Sequence, residues 1–307
     1  MQEWSDLKFF LATARTGSTL AAARELGVNQ TTVARRIDAL EAALSMRLFD
    51  RNRDGYRLTE EGTAILAQAE RVATEVDTLK RLAAQRNRHV SNVIRVTTVE
   101  DVANVILTPW LSEFIDLHPG IKVEMVATEG CLDLARGEAD IAIRASPKLT
   151  ESGLVVRKLA DGRWTLYCSR SYAEKRGVPS CVEDLDGHLI IGAEGTSAKV
   201  DPSNWLAKVA PRATIRSVCS TVPNTLVAIK AGHGVGALPT PVGIGHPDLI
   251  ACFNIPGFDF GYYLVTPESL KNVPCVKAFT AFIVSRAPAL KRALEGETRR
   301  TEMFVAP

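Results

Sequence analysis

The chain has 307 residues, of which 46% are apolar and 23% are charged, and its 37 lysines and arginines nearly balance 35 aspartates and glutamates. This length predicts about two domains, and the formal charge of +2 excludes a uniformly basic nucleic-acid coat and an acidic tail. No run approaches the roughly 18 apolar residues of a membrane span, and no basic and then apolar leader opens the chain, so we expect a cytoplasmic protein with no membrane partner.

The first two predicted helices are short and close together. Apolar residues between Leu7 and Ala14 recur at the i, i+3, i+4, i+7 spacing of a helix with one buried face, and Gly17 ends it. A second helix over residues 20–26 is followed by Gly27, which stands where a C-terminal cap would stand. The pattern therefore predicts two helices separated by a tight turn.

The third predicted helix, residues 29–44, carries its apolar side chains in one stripe. At 100° per residue, Thr31 and Arg35 fall nearly opposite that stripe. Two short helices joined by a tight turn, the second with polar and basic residues on its outer N-terminal face, are typical of a helix-turn-helix that enters the major groove. Arginine pairs with guanine or phosphate, and Gln30 would pair with adenine. The same charges also fit an ordinary solvated helix face.

A short basic hairpin follows the third helix. Asp54-Gly55 marks a tight turn between two extended pieces, and four arginines lie on the hairpin and its approach, at positions 47, 51, 53 and 57. Such a hairpin suits a wing that contacts the phosphate backbone of double-stranded DNA. The residues expected to contact DNA are Asn29, Gln30, Thr31, Thr32, Arg35, Arg36, Arg51, Arg53 and Arg57.

A series of motifs continues without a gap through this region. They are Ala21-Ala22-Ala23, Leu26-Gly27-Val28, Gln30-Thr31-Thr32-Val33, Arg35-Arg36-Ile37, Leu48-Phe49-Asp50-Arg51 and Leu58-Thr59-Glu60-Glu61-Gly62. Together they resemble the winged helix-turn-helix of LysR-type transcriptional regulators. Two positions depart from the family pattern, Ala34, where serine is usual, and Ser45, where glycine is usual. The missing hydroxyl at Ala34 affects the expected sequence preference more than DNA binding itself.

A long helix is predicted from Thr59 to Arg88, a stretch with no proline and one glycine. Its apolar residues recur at the spacing of a heptad seam, at Ile65, Ala69, Val72, Val76, Leu79 and Ala83. Either a partner helix or the chain's own domain could cover this seam. The resemblance implies a linker helix through which two subunits form a homodimer, or a homotetramer of two dimers, and read a pseudo-palindromic operator.

From Asn92 onward, short β-rich runs alternate with helical ones, which predicts α/β architecture with largely parallel strands. Residues 107–111, 137–144 and 231–239 resemble landmarks of the LysR-type effector domain. The expected fold class is α+α/β, with a winged helix-turn-helix DNA-binding domain at 1–58, a linker and dimerisation helix at 59–90, and a periplasmic-binding-protein-like effector domain at 91–307. Its two α/β lobes would span about 91–161 with 267–294, and about 162–266.

The resemblance places a small-molecule effector in the cleft between the two lobes. The residues expected to line that cleft are Thr98, Val99, Glu100, Thr128, Glu129, Arg144, Thr196, Ser197, Thr221, Pro223 and Asn224. Arg144 is the one cation among them and predicts a carboxylate effector, because a guanidinium binds a carboxylate with two hydrogen bonds. Alternatively, Arg144 pairs with Glu100 or Glu129 and the hydroxyls only cap helices, or those acids attract an amine-bearing ligand.

The sequence has no motif for enzymatic chemistry. It contains neither Gly-x-Ser-x-Gly nor His-Glu-x-x-His, and the alternate glycines in residues 232–236 follow a predicted helix without the spacing of a nucleotide loop. Five scattered histidines lack the spacing of metal ligands. We therefore expect no enzyme, no cofactor and no bound metal.

Six widely spaced cysteines, with no Cys-x-x-Cys, predict reduced and mostly buried thiols. A thiol-redox-responsive regulator is an alternative function, and Cys168 and Cys181, thirteen residues apart, are the pair nearest in sequence. A solute-binding protein is a further alternative, since the two lobes resemble periplasmic binders. The helix-turn-helix pattern and the missing signal peptide argue against it.

Overall fold

The computed structural model describes residues 6–52, 55–194 and 202–295. Internal contacts divide the chain into two compact units, Met1–Ala83 and Ala84–Pro307. Among the described residues, every helix is too short or too polar to cross a lipid bilayer.

The N-terminal part of the chain forms three short helices, a hairpin and the start of a long helix. In chain order these are α1 (Asp6–Thr16), α2 (Thr19–Leu26), α3 (Gln30–Leu44), β1 (Phe49–Asn52), β2 (Gly55–Leu58) and α4 (Glu60–Val90). Ser18 accepts a hydrogen bond from the Ala21 N–H and so caps α2, and Gly27 ends α2 in the left-handed conformation, with φ of 66°. This arrangement confirms the predicted winged helix-turn-helix followed by a long helix.

A small apolar core holds the hairpin against the short helices. Phe10 and Ile37 are buried, and the ring of Phe49 on β1 packs between Phe10 and Tyr56, with centroid distances of 5.5 Å and 5.6 Å. Burial of each such side chain contributes roughly 2 kcal/mol of transfer free energy. The hairpin is therefore part of the packed unit and has a defined position.

Two glycines allow the hairpin to approach its neighbours closely. The Tyr56 N–H donates a hydrogen bond to the Gly17 carbonyl at 2.9 Å, and a Cβ on Gly55 would lie 2.5 Å from that same oxygen. A Cβ on Gly62, in the first turn of α4, would lie 2.2 Å from the Leu48 carbonyl oxygen. A larger residue at either glycine would displace backbone, so glycine is required at both.

The described part of the second unit contains three sheets with helices between their strands. The strands are β3 (Val93–Thr98), β4 (Lys122–Ala127), β5 (Ile141–Ser146), β6 (Leu154–Gly162), β7 (Trp164–Ser169), β8 (Leu189–Ala193), β9 (Thr214–Cys219), β10 (Gly236–Pro239), β11 (Leu249–Asn254) and β12 (Phe260–Pro267). The helices are α5 (Glu100–Val102), α6 (Thr108–Leu117), α7 (Arg170–Arg176), α8 (Ser203–Val209), α9 (Val222–Lys230), α10 (Thr240–Ile244) and α11 (Pro274–Glu295), and a π-helical segment, Ala103–Leu107, joins α5 to α6.

The sheets mix parallel and antiparallel strands. The largest has the order β4-β3-β5-β12-β6, with β3 parallel to β4 and β5, and β12 antiparallel to β5 and β6. In the order β10-β7-β11 both outer strands are antiparallel to β7, while β8 and β9 pair in parallel. The predicted largely parallel arrangement was therefore wrong. Alternation of strands and helices does not reveal that β12 returns to the first sheet and runs between β5 and β6.

The position of β12 also differs from the expected lobe boundaries. Residues 260–266, expected in the second lobe, belong to the five-stranded sheet. One apolar core continues beneath the five-stranded and three-stranded sheets and includes Ile94, Ile143 and Leu166. Helices α6 and α11 close one side of it, where the rings of Phe114 and Phe279 meet at 5.1 Å. The two sheets therefore form one packed body, with strand ends from both of them around a cavity.

Candidate functional site

The outer face of α3 exposes the polar residues that the sequence predicted. Thr31 and Arg35 are exposed and lie one turn apart, while Val33 and Ile37 on the opposite face are buried. Within the described residues, no carboxylate pairs with Arg35. Its guanidinium faces solvent on the outer side of α3 in the described part of the chain.

The turn before α3 is fixed by a contact between helices. Gln30 Nε2 donates to Thr19 Oγ1 across the turn at 3.1 Å. Asn29 is exposed at the N-cap position and makes no side-chain capping bond, whereas Thr32 is partly buried. The N-terminus of α3 thus presents Asn29, Thr31 and the remaining hydrogen-bonding capacity of Gln30 on one surface.

Two of the predicted DNA-contacting arginines have partners within the chain. Arg36 lies 3.2 Å from Asp6, whose side chain is only 5% exposed. Arg51 pairs with Asp38, and its Nη2 lies 3.1 Å from Glu41. The hydrogen bond that Arg51 donates to Asp38 raises the pKa of Arg51 above its usual value. These two arginines join secondary-structure elements to one another within the unit.

The described part of the hairpin has two exposed arginines, Arg51 and Arg57, and of these only Arg51 forms ion pairs with described acids. Arg57 on β2 is exposed and pairs in register with Asp50 on β1. The guanidinium of Arg51 lies over the ring of Tyr56, 5.5 Å from its centroid, and this contact links the two strands near the turn. Arg53, predicted at the tip, lies outside the described residues.

A cavity of about 360 Å³ lies between the ends of strands from the two larger sheets. Its lining residues are Val99, Asp101, Glu129, Ala145, Pro147, Trp164, Val222, Pro239, Gly257, Phe258, Asp259 and Phe260. We call this space the acidic cavity, because three carboxylates line it and no described lysine, arginine or histidine does. Its volume falls within the range of small-molecule sites, about 300–1,000 Å³.

Asp101 is the most buried of these carboxylates, with 9% of its surface exposed. It stands in the first turn of α5, and the backbone N–H groups of that turn hydrogen-bond it. Burial, together with the nearby charges of Glu129 and Glu100, nevertheless raises the pKa of Asp101 to about 6. Glu129, at the rim, also has a raised pKa, because it is partly desolvated and faces Glu100.

Arg144, the cation predicted to bind the effector, lies in a neighbouring cavity of about 250 Å³. It forms an ion pair with Glu151 and donates to the Leu132 carbonyl at 3.2 Å. Arg144 therefore pairs with a local acid, as one alternative from the sequence proposed. The acid is Glu151, whereas the sequence suggested Glu100 or Glu129. The loop after β5 folds back to bring Glu151 there, which residue spacing did not reveal.

The predicted hydroxyls have local hydrogen bonds. Thr98 Oγ1 donates to the Ile143 carbonyl at 2.8 Å, and Thr128 Oγ1 accepts from the Gly130 N–H at 3.1 Å. Thr221 caps α9 by accepting from the Asn224 N–H at 3.3 Å. Pro223 follows in the first turn of α9, next to Val222 in the cavity wall. Thr196 and Ser197 lie outside the described residues.

Sequence reasoning did not select several lining residues of the acidic cavity: Trp164, Phe258, Asp259 and Phe260. Asp101 ends the run 98–101 that the resemblance placed beside the cleft, and the helix turns Asp101 inward and leaves Glu100 exposed. The segment Phe258-Asp259-Phe260 follows a turn and ends at Phe260, the first residue of β12. The only feature of the sequence that could have marked this segment as part of a binding site is its pair of aromatic residues on either side of an acid.

The thiol contact in the structure differs from the pair nearest in sequence. Buried Cys168 on β7 hydrogen-bonds Cys252 on the adjacent β11, whereas Cys181 is exposed. This hydrogen bond and burial raise the pKa of Cys252 well above its usual value, so it keeps its proton. Within the described ranges, histidines, cysteines and acids form no cluster of three that could hold a metal ion.

Comparison with known proteins identifies both parts of the chain. Residues 4–63 match the family described as bacterial regulatory helix-turn-helix protein, lysR family, and residues 87–288 match the LysR substrate binding domain. The HTH-type transcriptional regulator CrgA of Neisseria meningitidis serogroup C (strain 8013) is 29% identical over 225 residues, which cover 70% of this chain and 75% of CrgA. PgrR of Escherichia coli (strain K12), another HTH-type transcriptional regulator, is 25% identical over 242 residues, which cover 78% of this chain and 81% of PgrR.

Solved structures show the same fold. CrgA from Neisseria meningitidis aligns with a TM-score of 0.55 at 22% identity, covering 94% of this chain and 99% of that chain. Full-length CbnR in complex with its target DNA aligns with a TM-score of 0.58 at 22% identity, covering 93% of this chain and 100% of that chain. These similarities confirm the resemblance seen in the sequence. The chain belongs to the LysR family of transcriptional regulators, which are not enzymes, and combines a helix-turn-helix domain with a substrate-binding domain.

Proposed function

We propose that this LysR-type regulator binds a pseudo-palindromic operator in the cytoplasm through α3 and its hairpin, and that a small molecule in the acidic cavity changes this binding. The observation that supports the proposed DNA interface most directly is the position of Arg35. It is exposed on a helix whose opposite face is buried, and no described carboxylate neutralises it. An exposed arginine at this position suits a phosphate or a guanine edge.

The proposed DNA contacts are Asn29, Gln30, Thr31, Thr32, Arg35, Arg53 and Arg57. Arg36 and Arg51 have a different proposed role, because their guanidinium groups already pair with acids of the same unit. They would orient α3 and the hairpin so that the contacting residues reach DNA together. Truncation of either arginine should therefore reduce stability as well as DNA affinity.

The proposed division of labour follows the boundaries expected from the sequence. Residues 1–58 bind DNA, residues 59–90 dimerise, and residues 91–307 bind the effector. The 31-residue helix α4 exposes Leu79 and Leu82, with 68% and 40% of their surfaces accessible. Burial of these leucines against a second copy of α4 would favour a homodimer or a homotetramer built from dimers. Two copies of α3 would then read two half-sites.

A carboxylate effector, the class that Arg144 predicted, would have to compete with Glu151 for that guanidinium. It would also bind in the smaller neighbouring cavity, since Arg144 does not line the acidic cavity. Regulation requires only that the ligand favour one arrangement of the protein by about 1–3 kcal/mol. The acidic cavity is therefore our proposed effector site, and its charge indicates the class of ligand.

The DNA interface can be tested with an operator selected in vitro from random duplexes. Arg35→Ala should weaken operator binding and lower the slope of log affinity against log salt by about 1, because one phosphate contact is lost. Lys175→Ala, which removes an exposed charge at the end of α7, is the matched control and should change neither quantity. Unchanged affinity and slope for Arg35→Ala would show that Arg35 does not contact DNA and would contradict the proposed interface at this residue.

A further inference from the structure

We propose that the effector is an organic cation, with an ammonium or guanidinium group on an apolar or aromatic body, and that Asp101 and Glu129 bind its charge. This inference rests on the proposed function, in which the acidic cavity holds the effector. The inference goes beyond the proposed function because it assigns a ligand class, a cation, that is opposite in charge to the carboxylate suggested by Arg144.

The first argument is the sign of the charge in the cavity. Asp101, Glu129 and Asp259 all line it, and the described lining residues include no basic side chain. Glu100 adds a fourth carboxylate close enough to raise the pKa of both Asp101 and Glu129. Among the described lining residues a cation meets only negative side chains, whereas a carboxylate would meet like charges in a partly desolvated site.

The second argument is the state of Asp101. Its carboxylate is buried at the wall of the cavity, and its hydrogen bonds come from backbone N–H groups at the start of α5. No described side chain neutralises it, although a buried carboxylate is normally paired. The raised pKa shows that the backbone does not fully offset the cost of burial. A bound ammonium would provide the missing positive charge.

The third argument is the chemistry of the remaining wall. Trp164 and Phe260 are buried and Phe258 is partly buried, and all three line the cavity with the carboxylates. Phe258 packs against Trp205 at 6.0 Å, and Phe260 packs against Tyr262 at 5.1 Å, so neighbours hold both rings in place. Aromatic walls bury the apolar body of a ligand, and their faces attract cations. The combination fits an aryl-alkyl amine better than a purely polar one.

The arrangement also separates the two ligand classes in space. Arg144 and Glu151 neutralise each other in the neighbouring cavity, while the acids of the acidic cavity have no described basic partner there. Glu129 lines both cavities and faces any anion that approaches Arg144. The smaller cavity is therefore an unfavourable site for a carboxylate, and the larger one favours a cation.

The test uses the full-length protein and three probes of similar shape: 2-phenylethylamine, 2-phenylethanol and 3-phenylpropanoate. Thermal shift and isothermal calorimetry near pH 8 should show binding of the amine, with the alcohol and the carboxylate at least about ten-fold weaker. Asp101→Asn and Glu129→Gln should each weaken amine binding by about ten-fold or more. Glu268→Gln removes an exposed carboxylate paired with Lys271 outside the cavity, and should leave amine binding unchanged.

Preferential binding of the carboxylate, amine binding insensitive to both cavity variants, or no amine binding at millimolar concentration would overturn the proposal. Glu129→Gln keeps the test decisive if Asp101→Asn fails to fold, because Glu129 lies at the exposed rim. Operator affinity measured with and without the amine separates this inference from the proposed function. Amine binding that leaves operator affinity unchanged would refute regulation through the cavity and still support the ligand class.

Discussion

Asp140 Oδ1 accepts a hydrogen bond from Gln85 Nε2 at 2.8 Å, so a fully buried carboxylate holds the last turns of α4. The other oxygen of Asp140 accepts from the Arg95 N–H at 2.7 Å, and Arg88 Nη2 lies 3.3 Å from Oδ1. One side chain thus joins the end of the long helix to β3 in the effector-binding unit. A shift of either element would change the geometry of all these bonds.

Asp140→Asn should destabilise the protein by about 2 kcal/mol. The substitution removes the charge that compensates the largely buried Arg88, and an uncompensated buried cation is costly. Urea unfolding followed by tryptophan fluorescence measures the change. Asp133→Asn is the control, because Asp133 is exposed and should cost less than about 0.5 kcal/mol. Equal effects of the two substitutions would contradict a structural role for the buried carboxylate.

Arg35 and Arg36 are neighbours in sequence, yet we expect their truncations to act differently. Arg36→Ala should reduce the free energy of unfolding by about 1–3 kcal/mol, because it leaves the buried Asp6 without this partner. Arg35→Ala should change stability by less than about 0.5 kcal/mol and act on DNA affinity alone. Chemical denaturation and mobility-shift titration of both variants provide the comparison. Equal loss of stability would contradict the assignment.

Glu41→Gln should loosen the hairpin and weaken DNA binding. Glu41 Oε1 accepts hydrogen bonds from the Leu48 and Phe49 N–H groups at 2.7 Å and 3.1 Å, and its other oxygen faces Arg51. Loss of this charge should cost about 1–3 kcal/mol, since hydrogen bonds to charged groups are the stronger ones. Hydrogen exchange at the β1 amides should accelerate. Unchanged exchange there would show that Glu41 does not fix the hairpin.

These contacts show which features the sequence could predict. Helical periodicity identified the exposed face of α3, because Thr31 and Arg35 depend only on positions within one helix. It could not show that Arg36 meets Asp6, thirty residues earlier on another helix. The same limit applies to Arg144 and Glu151, and to Asp101, whose burial depends on how α5 packs against distant strands. Local pattern predicted the elements, and tertiary packing determined which polar groups remain free.

Asp101→Asn should make the ligand-free protein more stable at pH 8 and change it little near pH 4. The folded-state pKa of about 6 lies above the ordinary value of 3.8, so folding favours the protonated form. The stability contributed by this proton is fully present below about pH 4 and is lost as pH rises through 6. A difference of about two pKa units corresponds to roughly 3 kcal/mol of free energy, which asparagine avoids because it never ionises.

The groups that face Asp101 are Glu100, Glu129 and the buried hydroxyl of Tyr262. No described neighbour therefore supplies a positive charge that would lower the pKa of Asp101 and reverse the expected change of stability with pH. Urea unfolding of the wild type and the variant at pH 5 and pH 8 gives the difference at each pH. We expect the advantage of the variant to grow with pH. The control is Asp259→Asn, on the exposed rim of the same cavity, whose effect should be similar at both values. The opposite result would be a free energy of unfolding that rises with pH more in the wild type than in Asp101→Asn. It would show that ionised Asp101 stabilises the fold, and the cavity would then contain a compensating charge.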